Sequence, residues 1–182
     1  KVSEQLGVPG VDRASEDVST AQVLALAMDA NAPVHLCHVS TKGALSLIRE
    51  AKARNIPVTC ETAPHYFSLN HEALLERNAN FRMAPPLREE SDCRAVLEAI
   101  ADGTIDCIAT DHAPHTEAEK AVFETAPNGI VGLETSLALC LTYLVRPGII
   151  SIARLIKMMS TTPARLLGIS GGTLAQGSPA DF

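Results

Sequence analysis

The chain has 182 residues, 46% of them hydrophobic and 20% charged, enough apolar material to bury a core and too much for a disordered state. Fifteen Lys and Arg against 21 Asp and Glu leave a net charge of -6, and two Tyr, four Phe and no Trp offer few rings for stacking bases, which excludes nucleic acid as an expected partner. No apolar run approaches the roughly 20 residues that cross a bilayer, since Ser151 and Arg154 interrupt even 149–156, so a membrane partner is excluded too. The five cysteines (Cys37, Cys60, Cys93, Cys107, Cys140) form no CxxC pair and fall mostly in apolar segments, the usage of reduced thiols in a cytoplasmic protein. The start at Lys1 and the strand-like last residues lead us to expect a piece of a longer chain.

In chain order, Ser15, Glu16 and Asp17 suit a helix start, and Ala21, Leu24, Ala25 and Met28 continue it at helical spacing to about residue 30. The apolar run 33–39 reads as a strand, and Ala44, Leu47, Ile48 and Ala51 as the helix it feeds. The pattern recurs with a strand over 56–61, a short helix over 72–77 and an irregular stretch through Pro85-Pro86. A longer helix then carries Cys93, Val96, Leu97 and Ile100 to a stop at Asp102-Gly103. Residues 104–110 read as the third strand, 111–128 as a long loop, and 133–144, 151–159 and a segment from Thr162-Pro163 to Gly168 as helices.

Short buried strands alternating with amphipathic helices imply a parallel sheet, because parallel neighbours need a crossover that a helix supplies. The predicted class is α/β, either a small open sheet or the later part of a (β/α)8 barrel whose last helices seal one end. Neither GxGxxG nor GxxxxGKS follows a strand, so nucleotide binding is not expected.

Ligands of parallel α/β folds sit at the carboxyl ends of strands. His38, then Glu61 with His65 just beyond, then Asp111, His112 and His115 fall there. Strand alternation predicts that His35 and His38 face opposite sides and do not share a site. Imidazole and carboxylate arriving from different strands suit a catalytic zinc ion. Three ionisable groups within the five residues 111–115 serve packing poorly, which favours function. His71 reads as a solvated helix start, Met158-Met159 as core beside Leu155, and Arg88-Glu89-Glu90 as a solvated turn. Cys37 and Cys60 read as inert thiols inside apolar strands.

Five segments carry a resemblance: Cys37-His38-Val39-Ser40-Thr41-Lys42-Gly43, Glu61-Thr62-Ala63-Pro64-His65, Pro85-Pro86-Leu87-Arg88, 106–115 ending in Asp111-His112-Ala113-Pro114-His115, and 129–135 ending in Gly132-Leu133-Glu134-Thr135. In this order they resemble the longer type of bacterial dihydroorotase, of the amidohydrolase superfamily. The resemblance implies a zinc hydrolase on a (β/α)8 (TIM) barrel that interconverts N-carbamoyl-L-aspartate and dihydroorotate in pyrimidine biosynthesis. It implies His38 and Asp111 as metal ligands, with the remaining ligands upstream of Lys1. It implies Asp111 as the catalytic proton carrier, His115, Asn128 and Gly129 as substrate contacts, and no metal role for His65.

Two positions depart from the family pattern. Ala84 stands where a substrate-contacting Asn is usual, and Asn128 where a Phe is usual. The alternatives are therefore an allantoinase or hydantoinase acting on another cyclic amide, and an inactive dihydroorotase-like scaffold for aspartate transcarbamoylase. The partners implied are a small-molecule substrate, a second copy of the chain and aspartate transcarbamoylase. Residues 1–172 are assigned to the partial barrel, and 173–182 to the start of a return to a small β-sandwich domain.

Overall fold

Strands this short and apolar are stable only when covered, and here the chain returns across the sheet with a helix after each one. The computed structural model describes residues 1–179. Helices α1 (Val2–Leu6) and α2 (Ala14–Ala30) lead into strand β1 (Val34–Leu36), followed by α3 (Lys42–Ala53) and β2 (Val58–Thr62). Helix α4 (His65–Ser68) and two 3-10 turns, His71–Glu76 and Ala79–Phe81, come next, then α5 (Glu90–Asp102) and β3 (Cys107–Ile108). The order in the sheet is β1-β2-β3, all parallel, with Val34 opposite Val58 and Glu61 opposite Cys107. Three parallel strands in sequence order with helical crossovers form an arc of the kind that a (β/α)8 barrel closes.

The observed strands are shorter than the apolar runs. β3 has two residues where seven were expected, yet the pairing runs past its ends, since Asp106 N–H donates to Cys60 O (3.0 Å) and Ala109 N–H to Thr62 O (2.9 Å). After the long loop come α6 (Ser136–Cys140), which widens into π-type turns through Val145, then α7 (Ile152–Ile156), which runs through a similar segment into α8 (Thr162–Leu167). Gly168 closes α8 in the left-handed region, at φ 65. Of residues 173–182, assigned to the start of a return to a second domain, 173–179 contain a turn and no strand, and 180–182 lie outside the described residues.

The core lies between the outer face of the sheet and α3, α5 and the later helices. Ile48, Ala44, Val96, Ile100, Cys60, Leu144 and Leu155 are fully buried in it, each large aliphatic contributing about 1.5–3 kcal/mol. Met158 joins this core, as its spacing with Leu155 predicts. Helix α2 corrects its predicted face. Thr20, Leu24 and Ala27 are buried, while Met28 is 49% and Leu26 68% exposed, because the helix is apolar on more than one side and composition did not single out the inner one.

Candidate functional site

The site is built where β1 and β3 end. Strand alternation stops at Leu36, and His38 takes the left-handed conformation (φ 56), which redirects its ring over the sheet end. Asp111 does the same after β3 (φ 49). Positive φ is uncommon for any residue but glycine, so two such residues at the ends of β1 and β3, on either side of β2, are strained positions held by their surroundings. The strain brings His38 Nε2 to 3.6 Å from Asp111 Oδ1. From β2, His65 at the start of α4 sends Nε2 to 3.7 Å from Asp111 Oδ2. One carboxylate thus faces two imidazoles at distances too long for hydrogen bonds.

Glu61, the penultimate residue of β2, holds the other side of His38. Its Oε1 lies 3.1 Å from His38 Nδ1, close enough for charge pairing although not aligned as a hydrogen bond, and its Oε2 lies 3.5 Å from His35 Nε2. This corrects the expectation that His35 and His38 are kept apart by strand alternation. The strand ends between them and His38 turns back, so both rings reach the same carboxylate. Cys37, expected within a strand, follows β1 and is exposed.

The environment separates the two imidazoles chemically. The Glu61 carboxylate, with Asp111, raises the His38 pKa above its ordinary value against the opposing effect of burial. Burial, with the nearby His38, lowers His65 to about 4, so His65 is neutral near pH 7. Burial also raises Asp111, with Glu61 adding to it and His38 opposing it. For Glu61 burial works upward, but His38 and His35 outweigh it and hold the carboxyl below the usual range.

A metal is implied by the resemblance, and the donor atoms fit one. His38 Nε2 and Asp111 Oδ1 lie 3.6 Å apart without a hydrogen bond between them, an imidazole nitrogen and a carboxylate oxygen that are both ordinary zinc donors. The buried His65 Nε2, which has no hydrogen-bond partner among the described residues, borders the same carboxylate.

The remaining predicted residues lie on the adjoining loops. His112 is tied down rather than free, since its Nδ1 accepts from Gly132 N–H (3.0 Å) and Leu133 N–H (3.3 Å) and it bridges Ile130. Its place in the ionisable run is thus explained by loop anchoring. His115 is half-buried, with Nε2 3.1 Å from Asn128 O. Gly129 sits at φ 151, and an added Cβ would lie 2.4 Å from Ala113 O, so no other residue fits. Its N–H donates to Arg82 O (2.9 Å), and its carbonyl accepts from Lys120 Nζ (2.8 Å), which also reaches Pro127 O (2.8 Å). Nothing in the residue pattern marked Lys120, whose role depends on carbonyls that converge only in the fold. Ala84 is exposed at the lip of a cavity of about 370 Å³ that also touches His38, Cys37 and Pro85. A second cavity, of about 570 Å³, connects Ala84 with Asn128 and Arg82.

Behind His38 lies a knot that the residue pattern hid. Glu16 of α2 accepts from Ser40 N–H (2.7 Å), Thr41 N–H (3.0 Å) and Arg88 Nη2 (3.0 Å). Arg88 Nε also donates to Ser40 Oγ (3.1 Å). Arg88, expected in a solvated turn, is only 7% exposed because the loop after Pro85-Pro86 folds it inward to meet this carboxylate. Thr41 donates to Asp17 Oδ1 (2.6 Å) and caps α3 by accepting from Ala44 N–H (3.2 Å). Gly43 lets Asp17 come this close, since a Cβ there would lie 2.3 Å from Asp17 Oδ2.

The Amidohydrolase family pattern matches residues 13–182. The dihydroorotase of Geobacter metallireducens is 54% identical over 182 residues, which is 100% of this chain and 43% of that protein. The dihydroorotase of Trichlorobacter lovleyi is 53% identical over 181 residues, 99% of this chain and 42% of that protein. The chain therefore spans less than half the length of these relatives. Among solved structures, a dihydropyrimidinase from Brevibacillus agri superposes with a TM-score of 0.87 at 31% identity, covering 91% of this chain and 38% of that one. A D-hydantoinase from a Thermus species superposes with a TM-score of 0.86 at 33% identity, covering 93% and 39%.

Proposed function

The chain belongs to the amidohydrolase family, and on that premise we propose that the protein of which it forms part is a zinc-dependent dihydroorotase, interconverting N-carbamoyl-L-aspartate and dihydroorotate in pyrimidine biosynthesis. The observation that carries the reading is the convergence of His38 and Asp111, 3.6 Å apart across the ends of β1 and β3, within a chain more than half identical to dihydroorotases. His38 and Asp111 would hold zinc with ligands from outside this chain. Zinc bound there would polarise the ring carbonyl and lower the pKa of a water molecule.

Asp111 takes a proton from the attacking water as the new C–O bond forms, and delivers it to the amide nitrogen as the C–N bond breaks. In the direction of ring closure the same carboxylate returns the proton. Neutral His65 lies 3.7 Å from Asp111 Oδ2 and brings no charge of its own to the carboxylate. Glu61 orients His38 through Nδ1, as outer carboxylates orient metal-bound imidazoles. His115 and Asn128 orient the substrate, and Gly129 lets their loop close over it.

A hydantoinase-type reading has one observation in its favour. Ala84, at the cavity lip, offers no polar side-chain group where the dihydroorotase pattern has Asn. We place the protein in the cytoplasm on the strength of its five free cysteines, four of them buried, and among the described residues no helix is long and apolar enough to cross a membrane. A second copy and aspartate transcarbamoylase are its proposed partners, testable by co-elution of the full-length proteins.

The deciding experiment treats the full-length protein with a chelator, restores zinc, and compares turnover of dihydroorotate with that of a hydantoin and dihydrouracil. Zinc-restored activity with dihydroorotate preferred is the expected result. Preference for a hydantoin supports the second reading, and no turnover of any cyclic amide supports the scaffold.

A further inference from the structure

Beside the His38–Asp111 corner, and sharing Glu61 with His38, a different set of donors meets. His35 from β1, Cys37 just after it and Glu61 from β2 each present one ligand atom, and these atoms lie within 4.8 Å of one another. None of the three is among the metal ligands that the family resemblance implies.

Two contacts hold the His35 ring: Thr59 Oγ1 lies 2.8 Å from Nδ1, and Glu61 Oε2 lies 3.5 Å from Nε2. The Thr59 hydroxyl can donate to Nδ1 or accept from it, and a metal ion on Nε2 selects the second arrangement, with the imidazole proton on Nδ1. The Thr59–His35 pair is also the arrangement by which outer hydroxyls and carbonyls hold a metal-bound imidazole in place.

The third donor decides which cation. Sulfur, imidazole nitrogen and carboxylate oxygen together favour a borderline-soft divalent ion over Mg²⁺ or Ca²⁺, which take oxygen donors. A tetrahedral zinc site with bonds of about 2.0–2.3 Å has edges of roughly 3.3–3.8 Å, so closing the triad on an ion needs a contraction of about 1 Å. Cys37 follows β1 instead of lying within it, so its side chain can turn to make that adjustment.

We propose that His35, Cys37 and Glu61 form a second divalent-metal site, for Zn²⁺ or Cd²⁺, separate from the pair His38 and Asp111. Binding forms a sulfur–metal bond as the Cys37 thiol releases its proton to solvent, with no change in oxidation state. Because Glu61 turns Oε1 to His38 and Oε2 to His35, an ion in this site and one at His38 are linked through a single carboxylate.

The test uses the full-length protein, stripped of metal with a chelator and titrated with Cd²⁺, while ultraviolet absorbance records thiolate-to-cadmium charge transfer. The His38–Asp111 corner contributes no sulfur, and comparison with Cys37→Ser separates this site from the other free cysteines, so the difference band reports this site and does not depend on turnover of any substrate. Wild-type protein is expected to develop the band to one equivalent. Cys37→Ser should lose it, and His35→Gln should weaken Cd²⁺ binding at the band by at least about 10-fold while circular dichroism shows both variants folded. Absence of the band in wild type, its persistence in Cys37→Ser, or unchanged affinity in His35→Gln overturns the proposal.

Discussion

Two polar clusters sit back to back around residues 38–41, and they differ in how fully their hydrogen bonds are made. On one side Glu16, Ser40, Thr41, Asp17 and Arg88 satisfy one another, with Glu16 accepting from two backbone amides, a hydroxyl and a guanidinium. On the other, Asp111 faces two imidazoles at 3.6 and 3.7 Å, and buried nitrogens of His38 and His65 have no hydrogen-bond partner among the described residues. A saturated buried network has nothing left to offer a ligand and acts to hold loops in place. An unsaturated one stores binding capacity at a cost in stability. On this difference rests our proposal of one cluster as scaffold and the other as site, although both are made of the same residue types.

Substitutions in the full-length protein can break this contrast, and the largest effect is expected at Asp111. Asp111→Asn keeps the shape but cannot carry the proton, so kcat/KM for dihydroorotate should fall on the order of 10³-fold. Stability should change by less than about 0.5 kcal/mol, because no made hydrogen bond is lost. Steady-state kinetics beside thermal melting checks both halves, and a large loss of stability would mean that Asp111 belongs to the scaffold.

Glu16→Ala should show the reverse pattern. It leaves Arg88 buried without its carboxylate partner, at a cost of about 3 kcal/mol read from denaturant unfolding. Unaltered stability would remove the distinction between the two clusters.

Gly129→Ala is expected to cost about 2 kcal/mol, since the new methyl meets the Ala113 carbonyl in a conformation that side chains rarely adopt. Its KM should rise more than its kcat falls if the 128–129 loop serves the substrate. Equal effects on both, or none, would assign Gly129 to packing alone.

The smallest effect sharpens the comparison instead of breaking it. Ala84→Asn adds a hydrogen-bonding group at the cavity lip and should improve kcat/KM for dihydroorotate by about 1 kcal/mol, close to fivefold. A fall for dihydroorotate joined to a rise for a hydantoin would favour the other cyclic amide.

Much of the fold was legible because it depends on periodicity. Strand-then-helix alternation, the crossovers and the stops at Gly103 and Gly168 are written in apolar spacing and glycine placement, which act over a few residues. The candidate pair His38 and Asp111 was legible for a related reason, since parallel folds collect polar residues at strand ends. The inner face of α2 was not, because Leu26 and Met28 are as apolar as Leu24 and only the position of α3 distinguishes them. Nor was Arg88, whose flanking Glu89 and Glu90 look solvated until Glu16, 72 residues earlier, is brought alongside.

The amino-acid sequence by itself determined the α/β class, the order of its elements, the membership of His38 and Asp111 in one strand-end set, and the likeness to dihydroorotases. Only the tertiary structure decided that His35 shares Glu61 with His38, that His65 faces Asp111, and that Arg88 is buried against Glu16. The physical reason is the range of the forces concerned. Helix and strand preferences are settled by neighbours in the chain, whereas a positive φ at His38 and Asp111, and the pairing of charges from distant segments, exist only once the sheet and helices have packed and can hold strained backbone in place.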